Sequence, residues 1–133
     1  MSRPTRPITA EDLVELNEYV VENFGGGISG VRYEDGVYSA AERPFTSLFG
    51  QEQFPEPEDK AAALMESIIR NHCFHDGNKR TGLNAGLALY EELTGTELAV
   101  RKEEGVRVSL LVSGRRWDLT RLSEWFGKQA RQV

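Results

Sequence analysis

The sequence predicts a single, mostly helical domain. The chain has 133 residues and a formal net charge of −5, a length that suits one compact domain with one core. Several stretches carry apolar residues at three- and four-residue spacing, which is the period of one face of an α-helix. No repeat, low-complexity tract or linker interrupts them. We therefore expect residues 1–133 to form one domain built largely from helices.

The first helix is predicted over about residues 10–24. Thr9 and Asp12 have the spacing of a capping box, in which each side chain bonds the other residue's main-chain N–H. The apolar spacing continues as far as Phe24, and the glycines at 25–27 then end the pattern.

A short second helix and a loop are expected next. Asp35 is placed to cap a helix that must end near Pro44, because the residue before a proline avoids the helical conformation. Residues 44–57 are then predicted to be a loop. Four apolar side chains are expected to pin this loop to the core: Phe45, Leu48, Phe49 and Phe54.

Two strong helical patterns follow in the middle of the chain. One begins after Pro57 and leads to His72, and the other opens beyond Gly77 and closes at Gly95. The second carries Gly82 and Gly86 on one face, and we expect this face of small residues to let another helix come close.

The C-terminal part gives one ambiguous and one clear pattern. β-Branched residues in 106–112 favour a strand, although their spacing also fits a helix. Asp118 is placed to cap a final helix that carries Leu122 and Phe126 on one face.

Composition excludes several classes. Hydrophobic residues make up 39% and charged residues 28% of the chain, which is ordinary for a globular protein. A mildly acidic chain without a basic stripe argues against a nucleic-acid surface. The N-terminus, residues 1–7, lacks an apolar signal region, and nothing later is apolar enough to span a membrane. We therefore expect a cytoplasmic protein, and its single cysteine, Cys73, agrees with a reducing compartment.

The segment 72–82 gathers the residues that we expect to carry chemistry. His72 is the best candidate for a general base, because an imidazole accepts a proton near neutral pH. Asp76 offers a hard oxygen that suits Mg²⁺, or alternatively caps the next helix. Arg70 either reaches a nucleotide or serves only as a helix-end cation.

Four residues at the start of the following helix suggest an anion site. Gly77 permits a close approach of the backbone, and the free N–H groups of the first turn, including that of Asn78, attract phosphate. Lys79 and Arg80 oppose the helix dipole there unless an anion binds, although solvated surface charge is the plainer alternative.

These residues resemble the signature of the Fic/Doc superfamily, His-x-Phe-x-Asp/Glu-Gly-Asn-Gly-Arg-x-x-Arg. The matching positions are His72, Phe74, Asp76, Gly77, Asn78 and Arg80. Lys79 replaces the last glycine, as in the Doc (death-on-curing) branch, and Leu83 replaces the second arginine. Weaker similarity covers the rest of the chain. The resemblance implies a compact all-α domain with the motif loop between two central helices, and therefore a helix rather than a strand at 106–112.

The resemblance also implies a function. Doc proteins are toxins of toxin–antitoxin pairs that use ATP and Mg²⁺ to phosphorylate a threonine of elongation factor Tu. His72 would be the catalytic base, Asp76 the metal ligand, and Gly77, Asn78, Lys79 and Arg80 the nucleotide-binding residues. A Phd-like antitoxin is the expected inhibitor. Two alternatives remain open: transfer of AMP, as in Fic enzymes, and a catalytically silent interaction module.

Overall fold

The computed structural model describes residues 7–133, and the prediction of an all-α fold is confirmed for them. The α-helices are α1 (Ala10–Val20), α2 (Glu34–Glu42), α3 (Pro57–Asn71), α4 (Asn78–Thr94), α5 (Lys102–Ser113) and α6 (Leu119–Arg131). A small antiparallel hairpin, β1 (Ser47–Leu48) and β2 (Gln51–Glu52), joins α2 to α3. Among the described residues, no helix is long and apolar enough to cross a membrane. The prediction about an N-terminal signal falls mainly on residues 1–6, outside the described part.

The start of α1 is as predicted, whereas its end differs. Thr9 accepts a hydrogen bond from the Asp12 N–H, and the Asp12 carboxylate accepts one from the Thr9 N–H, which completes the capping box. The α-helix ends at Val20, and the predicted remainder forms one wider π-helical turn, Val21–Gly25. The chain therefore leaves this helix through a local widening before the glycines.

Two predictions for the region between α1 and α3 were wrong. Tyr33, not Asp35, occupies the N-cap position of α2, and Asp35 lies in its first turn. Leu48 and Phe49 do not pin the loop to the core, because their side chains are 56% and 96% exposed. Phe49 and Gly50 both have positive φ, which is typical of the tight turns that join two short strands, and the turn directs Phe49 into solvent.

α3 is the central helix of the fold. It packs against α4 along most of its length and also against α2, α5 and α6. The predicted role of the small residues is confirmed: a Cβ on Gly82 would lie 2.8 Å from Ile69 Cγ1 and 3.1 Å from the Met65 carbonyl oxygen of α3. The close contact between α3 and α4 fixes the two ends that the motif loop joins.

The C-terminal part forms two helices. Residues 106–112 lie within α5, as the family resemblance implied and against their strand propensity. Val108 and Val112 face the core and are fully buried there, so that tertiary packing outweighs the modest cost of β-branched residues in a helix. The Asp118 carboxylate accepts a hydrogen bond from the Arg121 N–H at 2.9 Å, which confirms it as the cap of α6.

Candidate active site

The loop between α3 and α4 is held by the hydrophobic core on its inner side and by the main chain of residues 30–31 on its outer side. Cys73 and Phe74 are fully buried in the core, so that Phe74 anchors the loop from the inside. On the outer side, the main chain of Val31 pairs with Phe74, and the His75 N–H donates to the Gly30 carbonyl at 3.0 Å. The motif therefore lies on a backbone that both the core and the preceding segment fix.

His72 ends α3 in a left-handed conformation, with φ of 48° and ψ of 47°. A left-handed residue at a helix end turns the chain sharply, and non-glycine residues adopt this conformation at some cost. His72 is exposed to solvent. A cleft opens at the start of α4, and His72 is not among the described residues that line it. His72 therefore lies beside this cleft rather than within it.

Hydrogen bonds from earlier parts of the chain orient both the carboxylate and the main-chain carbonyl of Asp76. Its Oδ2 accepts a hydrogen bond from the Ile28 N–H at 2.8 Å, and its main-chain carbonyl accepts one from the Asn17 amide at 2.8 Å. The alternative role of a helix cap does not occur, because Gly77 occupies the N-cap position of α4. The exposed carboxylate retains free lone pairs, and a single carboxylate beside substrate phosphates is a common Mg²⁺ arrangement. The site thus fits the ion.

Gly77 is required by both conformation and space. Its φ is 77°, and a Cβ here would lie 2.9 Å from Val21 Cγ2 and 3.3 Å from Asn17 Nδ2. α1 and the π turn thus press directly against the start of α4. The first N–H groups of α4 lie at this point, where helix N–H groups lack partners within their own helix.

The Asn78 side chain has a structural position that the sequence did not reveal. Its Oδ1 accepts a hydrogen bond from the Phe74 N–H at 3.0 Å, and its Nδ2 donates to the Phe74 carbonyl at 2.9 Å. The amide therefore closes the motif loop on itself. Any contribution of Asn78 to phosphate binding would come from its main-chain N–H in the first turn of α4.

The two cations of the motif have different surroundings. Lys79 is exposed, whereas Arg80 is partly buried and lies against Phe24 of the π turn. The Arg80 guanidinium donates to the Phe24 carbonyl at 2.5 Å and lies 5.3 Å from the centre of the Phe24 ring. This contact holds one side of the guanidinium and leaves its other donors available to an anion.

A cleft of about 670 Å³ opens at the start of α4, between α1 with its π turn on one side and α5 on the other. Asp76, Gly77, Asn78, Lys79 and Arg80 all line it, so that the structure brings together the predicted metal and phosphate residues. Two further basic residues, Arg101 and Lys102, line the cleft at the start of α5. Its apolar wall consists of Val20, Val21, Phe24, Leu83, Leu87, Val100, Val106 and Leu110. The cleft can therefore take a ligand or segment that is both anionic and apolar.

Leu83 forms part of this wall where Fic enzymes have an arginine. A Cβ on Gly105 of α5 would lie 2.6 Å from Leu83 Cδ2, so the leucine packs tightly against the α5 backbone. This part of the cleft offers a hydrocarbon surface in place of a second guanidinium.

Arg70 and Cys73 lie on either side of His72 in the sequence. Arg70 pairs with Glu66 at 3.5 Å and donates to the Trp117 carbonyl at 2.9 Å, which agrees with a helix-end cation rather than a nucleotide contact. Burial raises the pKa of the Cys73 thiol to about 11, so the thiol stays protonated near neutral pH, which disfavours a nucleophilic role.

Asn17 and the segment 24–30 belong to the site, although the motif lies more than forty residues further along the chain. Asn17 sits on the buried face of α1, where a single asparagine gives no periodic signal. The glycines of the segment could have indicated a close approach of the backbone, and Gly27 does make one: a Cβ there would lie 2.6 Å from Asp76 Oδ2.

Comparisons with known proteins show which family the chain belongs to. Residues 7–90 match the Fic/DOC family, and this match covers more than half of the chain. The chain is also similar to the protein named Toxin Doc of Mycolicibacterium smegmatis, with 40% identity over 76 residues. The matched region covers 57% of this chain and 57% of that relative. The fold and the motif loop define a Fic-type helical domain, and the chain belongs to the Fic/DOC family.

Proposed function

We propose that this protein is the toxin of a toxin–antitoxin pair and that it transfers the γ-phosphate of ATP to a hydroxyl group of a protein target. The observation that carries the proposal is the convergence of Asp76, Gly77, Lys79 and Arg80 on one cleft at the N-terminus of α4. The similarity to Toxin Doc supports the toxin role. The resemblance of Lys79 to the Doc branch supports the kinase role.

Each site residue would take a different part in the phosphoryl transfer. The target hydroxyl oxygen forms a bond to the γ-phosphorus while the bond from that phosphorus to the β–γ bridging oxygen breaks, and ADP leaves. A ring nitrogen of His72 takes the hydroxyl proton, and Arg80 and the first N–H groups of α4 hold the phosphates. Phosphoryl transfer needs mainly such positioning and charge neutralisation, and Mg²⁺ beside Asp76 would neutralise part of the phosphate charge.

The choice of the γ-phosphate rests on Lys79 and Leu83. Lys79 adds bulk and charge where AMP-transferring relatives have glycine, and Leu83 offers no second guanidinium to clamp the nucleotide in their orientation. ATP would then bind with its γ-phosphate toward His72. Leu83 lines the cleft and packs against the Gly105 backbone, so it presents hydrocarbon there and no donor for a phosphate, which supports this reading.

The partners follow from the resemblance and from the surface of the cleft. By analogy with the Doc branch, the target is a threonine of elongation factor Tu. Phe24, Val106 and Leu110 are each about half exposed on the apolar wall, and basic residues stand beside them. An amphipathic segment of a Phd-like antitoxin with acidic residues would cover this wall and restrain the toxin.

The test is intact-mass analysis of purified elongation factor Tu after incubation with the protein, ATP and Mg²⁺. A gain of about 80 Da corresponds to a phosphoryl group, and we expect it to be absent with the His72→Ala variant. His75→Ala is the matched control, because this second exposed histidine contributes only its main-chain N–H to the loop and should leave activity intact. A gain of about 329 Da would instead indicate AMP transfer. No gain would overturn the assigned target and favour a silent module.

A further inference from the structure

Asn17 is a completely buried amide on a helix face that otherwise carries apolar side chains such as Leu13 and Val20. A buried amide is costly unless its hydrogen bonds are made. Asn17 makes three. Its Nδ2 donates to the Asp76 carbonyl at 2.8 Å and to Thr81 Oγ1 at 3.2 Å, and its Oδ1 accepts from the Gly30 N–H at 3.0 Å. Both donors and the acceptor are therefore used.

Two of these bonds fix the turn that opens α4. The Asp76 carbonyl belongs to the peptide group that ends in the Gly77 N–H, and a planar trans peptide points its carbonyl and its N–H in opposite directions. By holding the carbonyl, Asn17 sets the direction of the Gly77 N–H. The bond to Thr81, one turn further along α4, keeps the helix start in register with α1.

The third bond fixes the segment that holds the Asp76 carboxylate. Gly30, which Asn17 binds, follows closely after Ile28, whose N–H donates to Asp76 Oδ2 at 2.8 Å. The Gly30 carbonyl also accepts from the His75 N–H at 3.0 Å. Asn17 thus joins the two chain segments that meet at Asp76, one through its donors and the other through its acceptor.

We propose that Asn17 is a positioning residue of the active site, which sets the direction of the Asp76 carboxylate and of the phosphate-binding N–H groups without touching the nucleotide. This inference rests on the proposed function. In place of Asn17, serine or aspartate would offer a different number of donors, and leucine none, so the asparagine amide is the group that fits all three partners. Removal of such outer partners commonly weakens metal binding or activity by about 10–100-fold.

The experiment compares ATP affinity in Mg²⁺ and in EDTA by calorimetry, for the wild type, Asn17→Leu and Asn17→Ala. Leucine has nearly the shape of asparagine and removes all three bonds. Alanine leaves space for a water molecule that can bond the same groups without fixing their direction. Asn23→Leu is the matched control, because this exposed amide bonds only the Tyr19 carbonyl on the preceding turn of its own helical segment.

We expect the ratio of the Kd in EDTA to the Kd in Mg²⁺ to fall about tenfold or more in the Asn17 variants and to stay unchanged in Asn23→Leu. A purely structural role would lower thermal stability without this selective loss of the Mg²⁺ effect. If Asn17→Leu does not fold, Asn17→Ala decides on the same ratio. A folded Asn17 variant with the wild-type ratio would overturn the proposal, whereas a wild type that binds no ATP would overturn the proposed function itself.

Discussion

The side-chain amide of Asn78 forms two hydrogen bonds with the main chain of Phe74, one through each of its polar atoms, at 3.0 and 2.9 Å. These bonds close the motif loop four residues back along the chain. Because Phe74 is fully buried, these bonds connect the first turn of α4 to the core as well as to the motif loop.

We therefore predict that Asn78→Ala lowers stability as well as activity. The loss of two bonds to a partly buried main chain should reduce the free energy of unfolding by about 1–3 kcal/mol. Urea unfolding followed by circular dichroism measures this change. Asn84→Ala is the control, because its exposed amide bonds only the Arg80 carbonyl one turn back and its loss should cost much less. If Asn78→Ala lost activity at unchanged stability, the amide would act on the nucleotide instead.

Gly27 and Gly26 offer a pair that separates backbone strain from the position of Asp76. Both have positive φ, of 96° and 69°, and Gly26 has a ψ of 178°, so alanine at either position costs about 1–3 kcal/mol of backbone strain. A Cβ on Gly27 would meet Asp76 Oδ2 at 2.6 Å, whereas one on Gly26 would meet no atom within 4 Å. We predict that, in the proposed phosphoryl transfer, only Gly27→Ala raises the Mg²⁺ concentration required for the half-maximal rate, by about tenfold.

The rate of phosphoryl transfer across a Mg²⁺ titration measures this effect for both variants. Gly26→Ala should lose stability but keep the wild-type Mg²⁺ requirement. Equal requirements in the two variants would mean that the Asp76 carboxylate moves freely or does not meet the ion.

The sequence predicted those features that local chemistry determines. The capping residues Thr9 and Asp118 act as expected, since each bonds an N–H three residues further along the chain. The exposed position of Phe49 could not be read from its apolar side chain, because it depends on a tight turn that only strand pairing reveals. Asn17 was not predicted to belong to the site for a similar reason, because its partners Asp76 and Thr81 lie 59 and 64 residues away in the sequence. Asp76, Gly77, Asn78, Lys79 and Arg80 could be predicted to lie together because they are contiguous, and they do line one cleft.

Gly82 provides a test of the contact between the two central helices. Alanine is normally more stable than glycine within a helix by about 1 kcal/mol. At Gly82, however, a Cβ would lie 2.8 Å from Ile69 Cγ1 and 3.1 Å from the Met65 carbonyl, and it would force α3 and α4 apart. We predict that Gly82→Ala is destabilised by about 1–3 kcal/mol, because overpacking a close contact has a cost of this size.

The matched control for this prediction is Gly127→Ala on α6. A Cβ there would meet only the end of the flexible Arg131 side chain, at 3.4 Å, so helix propensity should dominate and stability should stay equal or rise. Thermal or urea unfolding measures both variants. A Gly82→Ala variant as stable as Gly127→Ala would contradict the close approach of the central helices.

Cys73 gives the fold a dependence on alkaline pH. The thiol is fully buried, and desolvation raises its pKa to about 11, above the value of about 8.5 for a free cysteine. The folded state therefore binds the proton more tightly than the unfolded state. The resulting contribution to stability is fully present below pH 8.5 and is lost as the pH rises toward 11.

We predict that the wild type loses more stability between pH 7.5 and pH 10.5 than Cys73→Ala does. Urea unfolding of both proteins at both pH values measures the two losses of stability. The other titrating groups contribute equally to both losses, because the two proteins share them, so the difference between the losses reports on Cys73. Equal losses in the two proteins would show that the thiol ionises as easily in the folded chain as in the unfolded one.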